Sequence, residues 1–223
     1  KSPWNKKQTG TKTRWKPDLE VFTEIHVPDA FFHDTLRRQA VVNPGLLFIY
    51  RSEQEDGSFL EKEYFYENGI SDYVQELTGD KAMTSVQYWT AERMGRDRAD
   101  KQDYKVKLSV AMTVSNQVSL LEYYHNSSFL EHGGSPDKAV RSAFLSQINS
   151  YLKNNNKLQK NESSASFDDI KDCLVLVSSS FSTQTSYENQ TKKAITNKFI
   201  QEAMTEFLKH QLRSEEHTSE LQS

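Results

Sequence analysis

The chain has 223 residues, of which 26% are charged and 11% aromatic, a balance that excludes a disordered tail and fits one large domain or one domain with a remnant of another. A formal net charge of -3 and a pI near 6.1 exclude a globally basic nucleic-acid binder, so any such contact has to come from a local basic patch. The single cysteine, Cys173, excludes an internal disulfide framework and a CxxC zinc site.

In chain order, residues 11–15 read as a short strand, followed by a turn at Pro17-Asp18. Residues 29–43 read as a helix, with Pro28 and Asp29 at its start and Asn43-Pro44-Gly45 as its stop. Residues 46–51 and 59–66 read as strands joined by a loop holding Asp56-Gly57, a hairpin signal. Ile70, Tyr73, Val74 and Leu77 recur at helical spacing and predict a short helix. Residues 85–93 read as a strand, and the charge-rich stretch 94–103 as a solvated loop. Val106, Leu108, Val110, Met112 and Val114 alternate with Lys105, Lys107, Ser109, Ala111 and Thr113, which marks a strand with one buried face. Residues 117–125 read as its antiparallel partner.

Gly133-Gly134-Ser135-Pro136-Asp137 has the composition of a helix start, with Ser135 as a cap and Pro136 in the first turn. Val140, Phe144, Ile148, Tyr151 and Leu152 then form the apolar stripe of a helix running to about residue 154. A polar loop over 153–164 and a short helix near 167–171 precede a buried strand over 172–181, whose apolar neighbours make Cys173 a buried, reduced thiol. A Ser/Thr/Gln-rich loop over 182–191 leads to the last helix, 196–212, with Phe199, Ile200, Ala203, Met204, Phe207 and Leu208 on one face.

Both ends read as truncated or foreign. The start has no initiator methionine and no apolar h-region. Residues 213–223 match, residue for residue, the conceptual translation of a common sequencing adapter, and are expected to be no part of the natural protein. The longest apolar runs are too short to span a bilayer. The histidines show no HxxH or HExxH spacing, so no metal site is expected.

Four blocks carry a resemblance. They are Thr9-Gly10-Thr11 with Pro17-Asp18 and Phe22; Phe65-Tyr66-Glu67-Asn68-Gly69-Ile70; Asn126 with Gly133-Gly134 and Arg141; and Gln190-Thr191-Lys192. In this order they resemble the B subunit of DNA gyrase and its relatives, the ATP-driven GHKL subunits of type IIA topoisomerases. The resemblance covers residues 9–212. It implies an α+β transducer domain similar to ribosomal protein S5 domain 2, a mixed sheet with helices on one face, over residues 26–212. Residues 1–25 would be the end of a GHKL ATPase domain, contributing its terminal strand.

The resemblance also implies site residues. Gln190 and Lys192 would bind the γ-phosphate of ATP, with Lys192 as the catalytic cation; Thr11 would contact the adenine; Arg141 would line the cavity that holds DNA. On composition alone, Lys192 is a solvated charge, Thr11 a strand residue and Arg141 a surface arginine in an ion pair. The implied cofactors are ATP and Mg2+, the latter held outside these residues. The implied partners are double-stranded DNA, a gyrase A-type subunit and a second copy joined through the ATPase domain, in the cytoplasm and away from any membrane. The family's catalytic glutamate, magnesium-holding asparagine and glycine-rich lid are absent from these residues, so the isolated chain is expected not to hydrolyse ATP. Ser135-Pro136 stands where the family has Thr-His, and residues 94–103 look like a small insertion, which points to a divergent gyrase-like paralogue and leaves supercoiling, relaxation and decatenation open. Two alternatives are a MutL-type mismatch-repair ATPase and a non-enzymatic S5-like nucleic-acid-binding module.

Overall fold

A computed structural model describes residues 10–158 and 161–222, with side chains as far as Ser214 at the C-terminal end. Thr9 lies outside the described residues, as do the side chains of most of the adapter-like stretch. The elements in chain order are α1 (Asp29–Val42), β1 (Phe48–Glu53), β2 (Phe59–Tyr64), α2 (Ile70–Thr78), β3 (Gln87–Gly95), β4 (Tyr104–Val114), β5 (Leu120–His125), β6 (Ser128–Phe129), α3 (Ser135–Asn154), α4 (Phe167–Lys171), β7 (Leu174–Ser182) and α5 (Lys198–Gln222).

β1 and β2 form a two-stranded sheet, and the other strands form a five-stranded sheet in the order β3-β4-β7-β5-β6. β4 pairs antiparallel with β3 on one side and with β7 on the other. β5 pairs parallel with β7. The expected antiparallel pairing of residues 117–125 with β4 is therefore corrected, because β7 lies between them. The reason is in β7 itself: Leu174, Val175, Leu176 and Val177 are all apolar and all buried, and a strand apolar on both faces belongs at the centre of a covered sheet.

The mixed α+β sheet is as expected, but its helices lie on both faces rather than one. On one face Val106, Leu108, Val110, Leu174 and Leu176 pack under α3 (Val140, Phe144) and α5 (Ile200, Met204, Phe207, Leu208). On the other, Ala111, Val175, Val177 and Tyr124 pack against α1 (Ala40, Val41) and α2 (Ile70, Tyr73, Val74). The single buried face read for β4 holds only for its first half, where Lys105 and Lys107 point to solvent. Further along, Ala111 and Thr113 are small and uncharged, and both are fully buried.

Residues 11–15 form no strand: none of them joins a backbone ladder among the described residues. Cys173 is half-buried rather than buried, because it sits in the turn between α4 and β7; its thiol donates to the Ile170 carbonyl at 3.3 Å. The β1–β2 sheet leaves Leu46, Leu47, Ile49, Phe59 and Leu60 about half exposed or more. No helix among the described residues is long and apolar enough to cross a membrane.

Candidate functional site

Between β7 and α5 the chain rises in an arch whose tip is Gln190-Thr191-Lys192. Its legs are paired: Tyr187 bridges Ile195, the Glu188 amide donates to the Ala194 carbonyl at 3.0 Å, and the Thr196 amide donates to the Ser186 carbonyl at 2.8 Å. Ala194 and Ile195 are buried, so the descending leg is anchored by apolar contact as well as by its ladder.

The start of α3 holds the same leg from the side. Ile195 also bridges Gly134, and its carbonyl accepts from the Ser135 amide at 2.9 Å and the Ser135 hydroxyl at 3.2 Å. Ser135 is thus the first helical residue tied to the arch, not the cap expected; Gly134 occupies the cap position with φ 83°. A Cβ there would lie 2.2 Å from the Ile195 carbonyl oxygen, so the close approach of the two segments requires glycine. Nearby, the His132 amide donates to the Lys193 carbonyl at 2.9 Å, and Lys193 Nζ pairs with Glu131 at 2.5 Å.

The tip itself is open. A turn closes from the Lys192 amide to the Asn189 carbonyl at 3.2 Å, and Asn189 Oδ1 accepts from the Thr191 amide at 3.1 Å and from the Thr191 hydroxyl. Gln190, Thr191 and Lys192 are exposed. Lys192 has φ 57°, a left-handed conformation that costs a lysine about 1 kcal/mol. Its Nζ lies 5.6 Å from the Tyr187 ring centroid and has no carboxylate partner among the described residues. The arrangement presents one cation and one side-chain amide on a fixed turn, suited to a compact anion that arrives from outside.

Two polar clusters, unexpected from the sequence, hold the feet of the arch. At the first, the His125 ring is fully buried. Its Nδ1 is 2.8 Å from Ser180 Oγ and its Nε2 is 2.8 Å from Thr185 Oγ1. The Ser180 hydroxyl donates its proton to the Tyr124 carbonyl, so it accepts from Nδ1–H. Asn126 Nδ2 donates to Thr185 Oγ1, which leaves the Thr185 proton to point at Nε2. The ring is therefore the neutral Nδ1–H tautomer, and burial pushes its pKa down to about 4. Asn126 also clasps Ser182 from both sides, with Nδ2 donating to the Ser182 carbonyl and Oδ1 accepting from the Ser182 amide, each at 3.0 Å.

At the second foot stands Asp97, from the stretch read as a solvated loop. One carboxylate oxygen accepts from the Phe199 amide at 2.9 Å and the Tyr104 hydroxyl at 3.0 Å. The other accepts from Asn197 Nδ2 at 2.8 Å, and Asn197 Oδ1 accepts from the Ser186 amide at 2.8 Å. The visible sequence signal was Asn197, a cap-type residue just before an apolar helix. Asp97 was hidden inside a run of charges.

Arg141 is half-exposed on α3. Its Nε donates to Asp137 Oδ2 at 2.8 Å, and its guanidinium lies 4.5 Å from the Phe167 ring centroid. The Asp137 hydrogen bond holds its pKa above the usual arginine value. Thr11 is exposed. Gln190 and Lys192 therefore share one tip, while no hydrogen bond, ion pair or ring contact among the described residues links Thr11 or Arg141 to them. Among the described residues no group of three or more His, Cys, Asp or Glu gathers in a way that could hold a metal ion.

A family model described as DNA gyrase B matches residues 69–220, more than half of the chain. Among curated proteins, the chain is 29% identical over 212 residues to the gyrase B protein of Streptococcus pyogenes serotype M1, covering 90% of this chain and 31% of the relative. It is 27% identical over 208 residues to that of Enterococcus faecalis, covering 89% of this chain and 31% of the relative. The chain thus spans about a third of the length of the curated relatives it matches. Among solved structures, the 43K ATPase domain of Thermus thermophilus gyrase B, in complex with an aminocoumarin, shares the fold. The TM-score is 0.63 at 18% identity, over 92% of this chain and 53% of that one. The B-subunit of the DNA gyrase from Myxococcus xanthus gives a TM-score of 0.67 at 14% identity, over 88% and 52%. The match over residues 69–220, the agreement of sequence across most of the chain and the shared fold together place this chain in the DNA gyrase B family.

Proposed function

We propose that this chain is the transducer portion of the B protein of an ATP-hydrolysing type IIA topoisomerase, and that its arch carries Gln190 and Lys192 to the γ-phosphate of ATP. The observation that carries the reading is the tip: an exposed lysine, without a carboxylate partner among the described residues, held in a left-handed turn on legs pinned at both feet. The backbone of such a residue is pre-organised, and the ordering left when the phosphate arrives is that of the side chain. Lys192 neutralises charge on the phosphoryl group as it transfers, and Gln190 donates its side-chain amide to the same oxygens.

The contact exists only while a triphosphate is bound, so it biases the arrangement of the transducer against the ATPase domain. Closure and reopening of a dimeric clamp then couple the nucleotide cycle to passage of double-stranded DNA, with a gyrase A-type subunit as the cutting partner. Thr11 contacts the adenine and Arg141 the DNA backbone; Arg141 either shares its guanidinium with Asp137 or leaves it to do so. Mg2+ is assigned to ligands of the ATPase domain, outside these residues. The isolated chain is inactive on this reading, and the whole protein works in the cytoplasm.

The separate β1–β2 sheet and a family match that begins at residue 69 support a boundary between ATPase remnant and transducer nearer residue 69 than residue 25.

The test is Lys192→Ala in the intact protein. ATP turnover should fall roughly 100-fold, the scale of one lost transition-state donor. Turnover close to wild type refutes the assignment.

A further inference from the structure

We infer that Asp97 is a positioning residue for Lys192, acting through Asn197 and the foot of the arch; this rests on the reading of Lys192 given above. Residues 96–103 form a short loop between β3 and β4, braced by an ion pair between Arg96 Nε and Asp103 Oδ1 at 2.8 Å. Asp97 projects from it onto the first turn of α5. A carboxylate at a helix N-terminus satisfies an orphan amide and meets the positive end of the dipole, and the bond from the Phe199 amide does this.

A cap alone, however, leaves the second oxygen idle. Here the second oxygen accepts from Asn197 Nδ2, and that bond fixes which way the Asn197 amide faces. Asn197 is 2% exposed, so no water competes for it. With its nitrogen held by Asp97, its oxygen faces the Ser186 amide at 2.8 Å. Ser186 in turn accepts from the Thr196 amide at 2.8 Å, which is the lowest rung of the arch. The path from the 96–103 loop to the loop that carries Lys192 is a continuous chain of hydrogen bonds, flanked by Tyr104, whose hydroxyl donates to Asp97 and accepts from Asn197 Nδ2 at 3.1 Å.

That chain has a direction. In Asp97→Asn, the new amino group faces either the amino group of Asn197 or the Phe199 amide. Turning Asn197 over relieves the first clash only by aiming its nitrogen at the Ser186 N–H. Every arrangement of the single variant opposes one donor to another in a buried place. Asn197→Asp alone opposes two carboxylate oxygens. Making both substitutions together restores every bond of this path, at the loss only of the Asn197 Nδ2 donation to the Tyr104 hydroxyl. The side-chain amide now at position 97 donates to the carboxylate now at position 197. Its oxygen accepts from the Phe199 amide, and the carboxylate accepts from the Ser186 amide.

The experiment is a set of variants of the intact protein, read by ATP turnover, ADP affinity and thermal melting. Asp97→Asn and Asn197→Asp should each lower turnover roughly ten-fold, the scale of a small misplacement transmitted to the reacting centre, with ADP affinity unchanged because ADP lacks the phosphate that Lys192 meets. The double exchange should restore turnover. In a Lys192→Ala background Asp97→Asn should cost nothing further. Full turnover in the single variants overturns the inference. So does an equal fractional loss with and without Lys192, since a merely structural role would show it. If a single variant fails to fold, the exchange variant decides, and a folded exchange variant with depressed turnover counts against Asp97. Lys192→Ala at wild-type turnover is a different result: it refutes the reading of the arch itself, and this inference falls with it.

Discussion

Acidification should weaken this fold through one buried ring. His125 is held neutral with its pKa near 4, against 6.5 for a free histidine. In the unfolded chain the ring takes up a proton below pH 6.5, whereas in the folded chain it refuses one until about pH 4. Unfolding therefore binds a proton across that window, and stability falls as pH falls through it. The contribution is fully present above pH 6.5, and below pH 4 this group removes nothing more. At 1.36 kcal/mol per pH unit, the whole window is worth about 3 kcal/mol, and the step from pH 7 to about pH 4.5 is worth about 2.5 kcal/mol. Urea denaturation at those two values of pH measures it, with His125→Asn as the comparison. The variant is less stable at neutral pH, since Ser180 and Thr185 lose their shared partner, but it lacks the imidazole that titrates. The gap between wild type and variant should narrow by about 2.5 kcal/mol on acidification. An unchanged gap would show that the ring is not kept neutral by its burial, and would undo the tautomer assignment with it.

Other outcomes follow from the same geometry. Gly134→Ala should destabilise the chain by about 2–4 kcal/mol in denaturant melts, because the new Cβ meets the Ile195 carbonyl at 2.2 Å; a cost below about 1 kcal/mol would refute the close approach. Phe207→Ala, emptying a side chain that is 1% exposed between α5 and the sheet, should cost about 3–5 kcal/mol. A loss below about 1.5 kcal/mol would mean that α5 does not seal that face. For the intact protein, Arg141→Ala should reduce the salt slope of duplex DNA binding by about 1 without changing sequence preference. An unchanged slope would mean that Asp137 keeps the guanidinium to itself.

The sequence made the local half of this structure legible. The i, i+3, i+4, i+7 spacing of Ile70, Tyr73, Val74 and Leu77 gave α2, the strict alternation of Val106 to Met112 gave β4, and the stripe from Phe199 to Leu208 gave α5. Each is a periodicity that a single element imposes on its own residues. What stayed hidden joins residues far apart in the chain. The parallel pairing of β5 with β7 sets Leu120 beside Val175. The Asp97 bond to the Phe199 amide crosses 102 positions, and His125 meets Thr185 across 60. No pattern within a window reports such partners. Residues 94–103 illustrate the cost: a charged run has the composition of a solvated loop, and nothing in it distinguishes the one carboxylate that turns inward. The tip of the arch was found by resemblance to a motif, while the residues that hold it still were found only in the fold.

The place of β7 in the sheet has a consequence for synthesis. The strands on either side of it are made first, and until residues 174–182 leave the ribosome they have no neighbour in the gap between them. A nascent chain halted at that stage carries two unsatisfied backbone rows at the centre of its sheet, next to apolar side chains awaiting cover. The order of translation thus makes the late arrival of one short apolar segment the step at which misassembly with another chain competes most strongly with completion.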